Sequence, residues 1–450
     1  MVAARPSLPV AQGKSELMTF AATSAPGRSR AGQQLLIALV QVLALTVWFS
    51  ASAVVPTLRE DWGISAAAAV WLTASVQLGF VTGAVLSTLA NLPDRMPPHL
   101  LLSLCALAAC GSTVVFALLV EEMALAVPLR FLTGLFLAGV YPVGMKLTAS
   151  WVPPRQRGRA FGILIGSLTL GSALPHLIGG IGDLPWRGVM LTAAGCCFAG
   201  SAVAVTFVRP GPLMDTAPVV PHPRYAIQML RERAPRLANL GYFGHMWELY
   251  AWWTWLPAFL IARQSARGDD ALPDLVLGGT VFAAIGVAGV AGCLVGGWAS
   301  DRFGRPRAAG VALTVSGACC LISPVLFIAP WPVVGAVLLV WGASVIADSG
   351  VFSASLSETV DPRYVGSALT AQVAIGFALT VVTIQLVPIV AELVGWQYAF
   401  WLLVPGPLAG VLAMRSLGRL TATPATADRA HTGEPPPARR AGRRGRPPAP

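Results

Sequence analysis

The segment Gly297-Trp298-Ala299-Ser300-Asp301-Arg302-Phe303-Gly304-Arg305-Pro306-Arg307 is a short, charged loop between two long apolar runs. The run before it, 275–300, and the run after it, 308–328, are each long enough to cross a bilayer, since about 20 apolar residues suffice. A loop this short between two spans must lie at the membrane surface. The segment therefore predicts a protein that crosses the membrane several times.

Composition and charge support this prediction. Of the 450 residues, 55% are hydrophobic and only 11% are charged, whereas soluble domains have about 25% charged residues. Most of the 31 Lys and Arg residues fall in alternate loops and in the two tails, which by the positive-inside rule places both termini in the cytoplasm. The net charge of +11 thus indicates topology and not nucleic-acid binding.

The cysteines and the overall residue usage bear on cofactors and location. All seven cysteines fall in apolar runs and have no metal-type spacing, so we expect neither a metal nor another cofactor. Residues 1–33 contain no cleavable signal peptide. The scarcity of Lys beside abundant Ala, Arg, Gly and Pro is typical of GC-rich bacterial coding. The expected location is therefore the bacterial inner membrane.

Twelve apolar segments can be counted, and a polar stretch divides them into two sets of six. We therefore predict an all-α membrane protein whose twelve transmembrane helices form two pseudo-symmetric halves. The predicted parts are a cytoplasmic N-terminal tail at 1–33, a first half at 34–208, a cytoplasmic linker at 209–236, a second half at 237–417 and a disordered basic C-terminal tail at 418–450.

Four landmarks recur in the second half at a spacing of 207 to 210 residues. They are Asp94-Arg95 with Asp301-Arg302, Gly134 with Gly342, the segment 154–160 with the segment 362–368, and Trp186 with Trp396. Such regular spacing indicates a duplication. Because each half has an even number of spans, the two halves share one orientation in the membrane.

The pattern Gly297-x-x-x-Asp301-Arg302-x-Gly304-Arg305-x-Arg307 resembles the loop motif of the major facilitator superfamily of transporters. The pair Asp94-Arg95 keeps part of this motif in the first half, and Arg130-x-x-x-Gly134 resembles the superfamily's fourth-helix motif. The resemblance implies two halves that rock about a central site. It also implies that Asp301 and Arg302 latch the cytoplasmic side. The alternative is that the arginines of the loop only set the topology.

Placing polar residues inside a membrane span costs free energy, so the polar residues found there are expected to be functional. The resemblance implies that helices 1, 4, 7 and 10 line the central cavity. The substrate and proton candidates on these helices are Gln41 and Trp48, Arg130, His245, Glu248 and Trp252, and Asp348.

The seventh span carries the richest pattern. Tyr242, His245, Glu248, Trp252 and Trp255 share one helix face, which suits a wet cavity. Glu248 at mid-membrane suits a proton-coupling site; the alternative is that it pairs with His245 or Arg130 to hold the helices together. Asp348 either serves the site or caps irregular backbone at 348–350.

These observations favour a secondary transporter of a small solute, coupled to protons, over an enzyme. No nucleotide-binding loop is present. Arg130 with His245 suits an organic anion, and Glu248 with Asp348 suits a cation; we favour a small organic anion or metabolite. The alternatives are a proton-coupled multidrug efflux antiporter and a transport-like membrane sensor. The expected partners are the substrate, protons and the lipid bilayer, with no nucleic acid, and a monomer suffices.

Overall fold

A computed structural model of the protein describes residues 29–90, 92–153, 156–181, 184–214, 225, 229–268, 273–361 and 364–422. Almost all of the two predicted tails and the middle of the predicted linker lie outside these residues, so the predicted boundaries of the parts stay predictions. Within the described residues the regular structure is entirely helical. This confirms the predicted all-α fold class.

Eleven described helices are long and apolar enough to cross a membrane. They are α1 (Arg30–Val47), α2 (Ala67–Leu89), α3 (Pro98–Leu119), α4 (Met123–Trp151), α5 (Arg157–Gly180), α6 (Trp186–Phe207), α8 (Asp274–Phe303), α9 (Arg305–Phe327), α10 (Trp331–Thr359), α11 (Val365–Val394) and α12 (Trp396–Thr421). The remaining predicted span lies in α7 (Arg233–Arg267), a helix of 35 residues. Because α7 contains many polar residues, its mean hydropathy is too low for hydropathy alone to identify it as a span. The twelve-helix prediction is consistent with this arrangement.

Several spanning helices are irregular, and α8, for example, contains a π-helical segment at Ala283–Val287. The last turn of α1 is a 3-10 helix at Leu45–Val47, and short helices at Ser50–Ala53 and Val55–Trp62 continue the chain. Helix α4 is interrupted between Leu137 and Tyr141, and α10 is interrupted at Asp348. The break at Asp348 was predicted. Irregular backbone at membrane depth needs polar partners within the protein or a water-filled cavity.

Each half contains a pair of helices that touch backbone to backbone. A Cβ atom placed on Gly134 of α4 would lie 1.9 Å from the carbonyl oxygen of Val76 in α2. In the second half, a Cβ atom placed on Gly342 of α10 would lie 1.8 Å from the carbonyl oxygen of Ala284 in α8. Only glycine permits such contacts. The spacing of 208 residues between these glycines therefore reflects equivalent packing in the two halves.

The two halves meet along α5 with α8 and along α2 with α11. Helix α5 follows α8 from one end to the other: a Cβ atom on Gly158 would lie 2.9 Å from Oδ1 of Asp301, and one on Gly180 would lie 2.8 Å from the carbonyl oxygen of Asp274. Between α2 and α11, the hydroxyls of Thr88 and Thr370 are 3.1 Å apart. Both helix pairs therefore join the halves at the end of the molecule that carries Asp301, which is called the Asp301 side below.

Candidate functional site

The structure brings His245 of α7 and Asp348 of α10 together. The distance from His245 Nδ1 to Asp348 Oδ1 is 2.9 Å, and each side chain is only 1% exposed. The other polar atoms of the pair, His245 Nε2 and Asp348 Oδ2, have no hydrogen-bond partner among the described residues. Asp348 makes no side-chain cap at the helix break, so the predicted capping role is wrong. The pair is a buried site that can still hold a proton or a polar ligand.

Glu248 occupies a different environment. Its carboxylate accepts hydrogen bonds from Ser316 Oγ at 2.8 Å, Trp341 Nε1 at 2.9 Å and Cys320 Sγ at 3.3 Å. Trp252, which was predicted to share its helix face, packs on Trp341 with ring centroids 5.2 Å apart. All these partners belong to the second half. The alternative prediction that Glu248 pairs with His245 or Arg130 is not what the structure shows.

Arg130 of α4 is fully buried, and each of its guanidinium nitrogens donates to a backbone carbonyl. Nε donates to Leu72 O at 3.2 Å, Nη1 donates to Val47 O at 3.0 Å, and Nη2 donates to Trp48 O. Two of these carbonyls belong to the irregular end of α1. Arg130 therefore satisfies the broken backbone of α1, which agrees with helix packing, the alternative to a role in substrate or proton handling.

Gln41 lies in α1 beside the interruption of α4, and Trp48 directly follows α1. Gln41 Nε2 donates to Val140 O at 3.2 Å, at the interruption of α4, while its Oε1 has no partner among the described residues. The ring of Trp48 lies 5.0 Å from that of Phe80 and 6.0 Å from that of Tyr250, measured between ring centroids. Trp48 thus contacts aromatic side chains of both halves.

These contacts belong to a larger set, called the aromatic cluster below. It consists of Trp48, Phe49 and Phe80 from the first half and Tyr250, Trp253 and Phe377 from the second half. None of the six side chains is more than 4% exposed. Phe80 and Phe377 are in closest contact, with ring centroids 4.6 Å apart. Of these six residues, only Trp48 is a site candidate from the sequence. The spacing of Tyr250 and Trp253 by three residues on α7 is the sequence signal for the rings of the second half.

A cavity of about 530 Å³ opens between the halves on the side opposite Asp301, and it is called the outer cavity below. Its polar lining consists of three hydroxyl residues and two charged ones, Ser52, Thr73, Thr254, Arg59 and Glu60. Ser52 and Thr73 share a hydrogen bond of 2.6 Å. On the Asp301 side, the space where α5 meets α8 and α10 measures only about 30 Å³. A second cavity on this side, of about 490 Å³, is lined by Arg30, Gln156 and Arg159 from the first half and by Asp301 from the second half. Cavities therefore lie on both sides of the contact between the halves, and the outer cavity is slightly larger.

The charged segment 297–307 contains the end of α8 and the start of α9. Gly304 has φ of 86°, a conformation that favours glycine, and Pro306 lies in the first turn of α9. Arg305 pairs with Glu358 at 2.6 Å, while Arg302 and Arg307 are exposed. Asp301 lies against Gly158 at the start of α5. In the first half, Asp94-Arg95 ends a short helix at Leu92–Arg95, and the side chain of Asp94 lies outside the described structure.

A bundle of membrane-spanning helices in two matching halves, with cavities between the halves, is the architecture expected of a transport protein. The sequence agrees with the family model described as Major Facilitator Superfamily over residues 37–383. The chain belongs to the major facilitator superfamily. Its relatives are transporters and not enzymes.

Three relatives share about a quarter of their aligned residues with this chain. It is 26% identical over 317 residues to the probable sulfoacetate transporter SauU of Cupriavidus necator, a match that covers 62% of this chain and 68% of the relative. It is 24% identical to the gallate transporter of Pseudomonas putida, covering 59% and 64%, respectively. It is 26% identical to the niacin transporter NiaP of Acinetobacter baylyi, covering 47% and 55%.

Solved structures resemble the fold at lower sequence identity. The structure of a bacterial homolog of the human lysosomal transporter Spinster, in an inward-facing and unoccupied conformation, has a TM-score of 0.66 at 15% identity, covering 90% of this chain and all of that one. The proton:xylose symporter XylE has a TM-score of 0.66 at 16% identity, covering 86% and 94%. These likenesses support the fold alone.

Proposed function

We propose that this chain carries a small organic anion across the bacterial inner membrane by alternating access. The observation that carries the proposal is the aromatic cluster, to which each half contributes three rings. It lies at the contact between the halves, below the outer cavity. A solute can pass only when the halves separate, as alternating access requires. The three relatives are named for sulfoacetate, gallate and niacin, which are all small organic acids.

Contacts between the halves on the Asp301 side support the proposal. On the Asp301 side, α5 lies against α8 and α2 lies against α11. The predicted topology places both termini, and therefore the Asp301 loop, in the cytoplasm. On this assignment the outer cavity faces the periplasm.

The outer cavity offers a first contact for an anion. Arg59 lines it together with the hydroxyls of Ser52, Thr73 and Thr254. A guanidinium binds a carboxylate or a sulfonate with two parallel hydrogen bonds, and hydroxyls add further donors. Arg130 is less suited to this role because its three nitrogens already donate to backbone carbonyls. We assign anion capture to Arg59 and the stabilisation of α1 to Arg130.

Proton coupling is assigned to the His245–Asp348 pair. With neutral histidine and ionised aspartate the pair has a charge of about −1, and one added proton makes it neutral. An organic anion enters a neutral site more readily than a negative one, because like charges in a buried site repel strongly. Proton uptake at the pair therefore favours anion binding, which is the sign expected for symport.

A thermal-shift experiment on the purified protein tests the substrate class. Sulfoacetate, gallate and niacin are compared with a lipophilic cation such as ethidium, at acidic and at neutral pH. A ligand that binds the folded state raises the melting temperature by mass action. Stabilisation by at least one of the acids, larger at acidic pH, supports the proposal. Stabilisation by ethidium alone contradicts it and favours a multidrug efflux antiporter, because aromatic rings also bind organic cations.

A further inference from the structure

Two buried glutamines lie at the contact between the halves without hydrogen-bond partners. Gln77 of α2 and Gln372 of α11 are both 0% exposed. Neither the amide nitrogen nor the amide oxygen of either side chain has a partner among the described residues. Buried polar groups in folded proteins are almost always paired, so groups left unpaired call for an explanation. The two helices that carry them pack against each other across the halves.

Gln77 lies between the outer cavity and the aromatic cluster. It follows Thr73 by four residues and precedes Phe80 by three, so the three side chains share one face of α2. Thr73 lines the outer cavity, and Phe80 belongs to the aromatic cluster. The rise of a helix places Gln77 about 4.5 Å from the level of Phe80, on the outer side. Its amide, which has no partner among the described residues, therefore lies on the outer side of the aromatic cluster.

Gln372 lies on the other side of the aromatic cluster. It precedes Phe377 by five residues, about 7.5 Å along α11 towards the Asp301 side. It shares a helix face with Gly376, where a Cβ atom would lie 2.4 Å from the ring of Tyr242. The ring of Tyr242 is in turn 6.1 Å from the ring of His245. Gln372 is therefore on the face of α11 that meets α7, next to the region of the buried ion pair.

We propose that Gln77 and Gln372 are specificity-determining residues that hydrogen-bond the transported anion on the two sides of the aromatic cluster. This inference rests on the proposed function and names its substrate class. An amide presents both a donor and an acceptor. A carboxylate or sulfonate only accepts, so the amide oxygens need a ligand that also donates. A planar, hydroxylated aromatic acid meets this need, and its ring can stack on the aromatic cluster.

The test compares Gln77→Leu and Gln372→Leu with the matched control Gln385→Leu, a half-buried glutamine further along α11. The dissociation constants of gallate and sulfoacetate are measured by isothermal titration, and melting temperatures are measured without ligand. We expect each of the first two variants to bind gallate about 10-fold more weakly, because a ligand hydrogen bond is lost. The loss of affinity for sulfoacetate should be smaller, because sulfoacetate can accept from the amides but cannot donate to them. Their melting temperatures without ligand should equal or exceed that of the wild type, because an unpaired buried amide is removed.

Two outcomes overturn the inference: gallate binding that is unchanged in both variants, or a melting temperature that falls in both variants but not in Gln385→Leu. The second outcome would show that the amides stabilise the fold. Wild-type protein that binds none of the named acids contradicts the proposed function instead. The melting temperatures without ligand then decide alone whether the two glutamines have a structural role.

Discussion

His245 Nδ1 and Asp348 Oδ1 lie 2.9 Å apart, at the point where helix α10 is broken. The pair joins α7 to α10 within the second half and retains unpaired atoms, His245 Nε2 and Asp348 Oδ2. A buried pair held only for stability would be expected to have its remaining lone pairs and protons satisfied. In the described structure, atoms of this pair lack hydrogen-bond partners, whereas the Glu248 carboxylate accepts from three donors. We therefore assign proton binding to the His245–Asp348 pair and not to Glu248.

Substitutions at this pair should separate transport from stability. Asp348→Asn keeps a polar side chain but removes the charge, and uptake should fall at least about tenfold, or about 1.4 kcal/mol, while the melting temperature stays near that of the wild type. His245→Ala leaves the aspartate unpaired and should destabilise the protein by about 3 kcal/mol. The double variant should regain stability without regaining transport. Uptake at the wild-type rate by Asp348→Asn would exclude the pair from coupling.

Arg130 should prove structural. Arg130→Lys replaces a planar group that reaches three carbonyls with a single ammonium, and it leaves at least one carbonyl at the break of α1 unpaired. The expected cost is about 1 to 3 kcal/mol, seen as a lower melting temperature. Arg59→Lys, an exposed position in the outer cavity, is the matched control and should melt like the wild type. Equal melting temperatures for all three proteins would refute the role given to Arg130.

The close contact between α8 and α10 should not tolerate a methyl group. Gly342→Ala places a Cβ atom 1.8 Å from the carbonyl oxygen of Ala284, so the two helices must separate. We expect destabilisation by about 3 kcal/mol or more and a loss of monodisperse protein in size-exclusion chromatography. Gly335→Ala on the same helix is the control, because nothing lies within 4 Å of its Cβ position. A normal elution profile for Gly342→Ala would show that the packing is looser than described.

The latch on the Asp301 side can be tested by removing one charge. Asp301 lies against Gly158 at the start of α5, where the helix dipole favours an anion by about 0.3 to 1 kcal/mol. Asp301→Asn should reduce uptake several-fold with no loss of folded protein, because it shifts the balance between the two states. Asp274→Asn removes a charge from the opposite end of α8 and should transport normally. Normal uptake by Asp301→Asn would leave the loop as a topology signal only.

Much of the fold follows from local sequence patterns. Spanning helices depend on the length and hydrophobicity of single segments, and the spacing of Gly134 and Gly342 depends on the duplication, so both could be inferred without coordinates. The break at Asp348 was also visible, because Asp-Ser-Gly is a poor continuation of a helix. Hydropathy alone does not recognise α7, and the periodic polar face of that helix was the better guide.

The partners of the site residues could not be predicted in the same way. Helical period shows which residues share a face of α7 but not which helix that face meets, and Glu248 and Trp252 pack on α9 and α10 within their own half. The role of Arg130 depends on the irregular end of α1, which propensity does not reveal. The aromatic cluster gathers residues from α2, α7, α11 and the end of α1, so only the packed structure could show it.

Uptake into proteoliposomes is the most direct test of the central claim, that an organic anion and a proton cross together through this chain. Radiolabelled gallate, niacin and sulfoacetate are offered outside vesicles with an acidic exterior and an alkaline lumen, with and without a protonophore. The account predicts that at least one of the three accumulates, that the protonophore abolishes accumulation, and that Asp348→Asn vesicles behave like empty ones. Failure of all three acids to accumulate, together with proton-driven movement of ethidium, would contradict it.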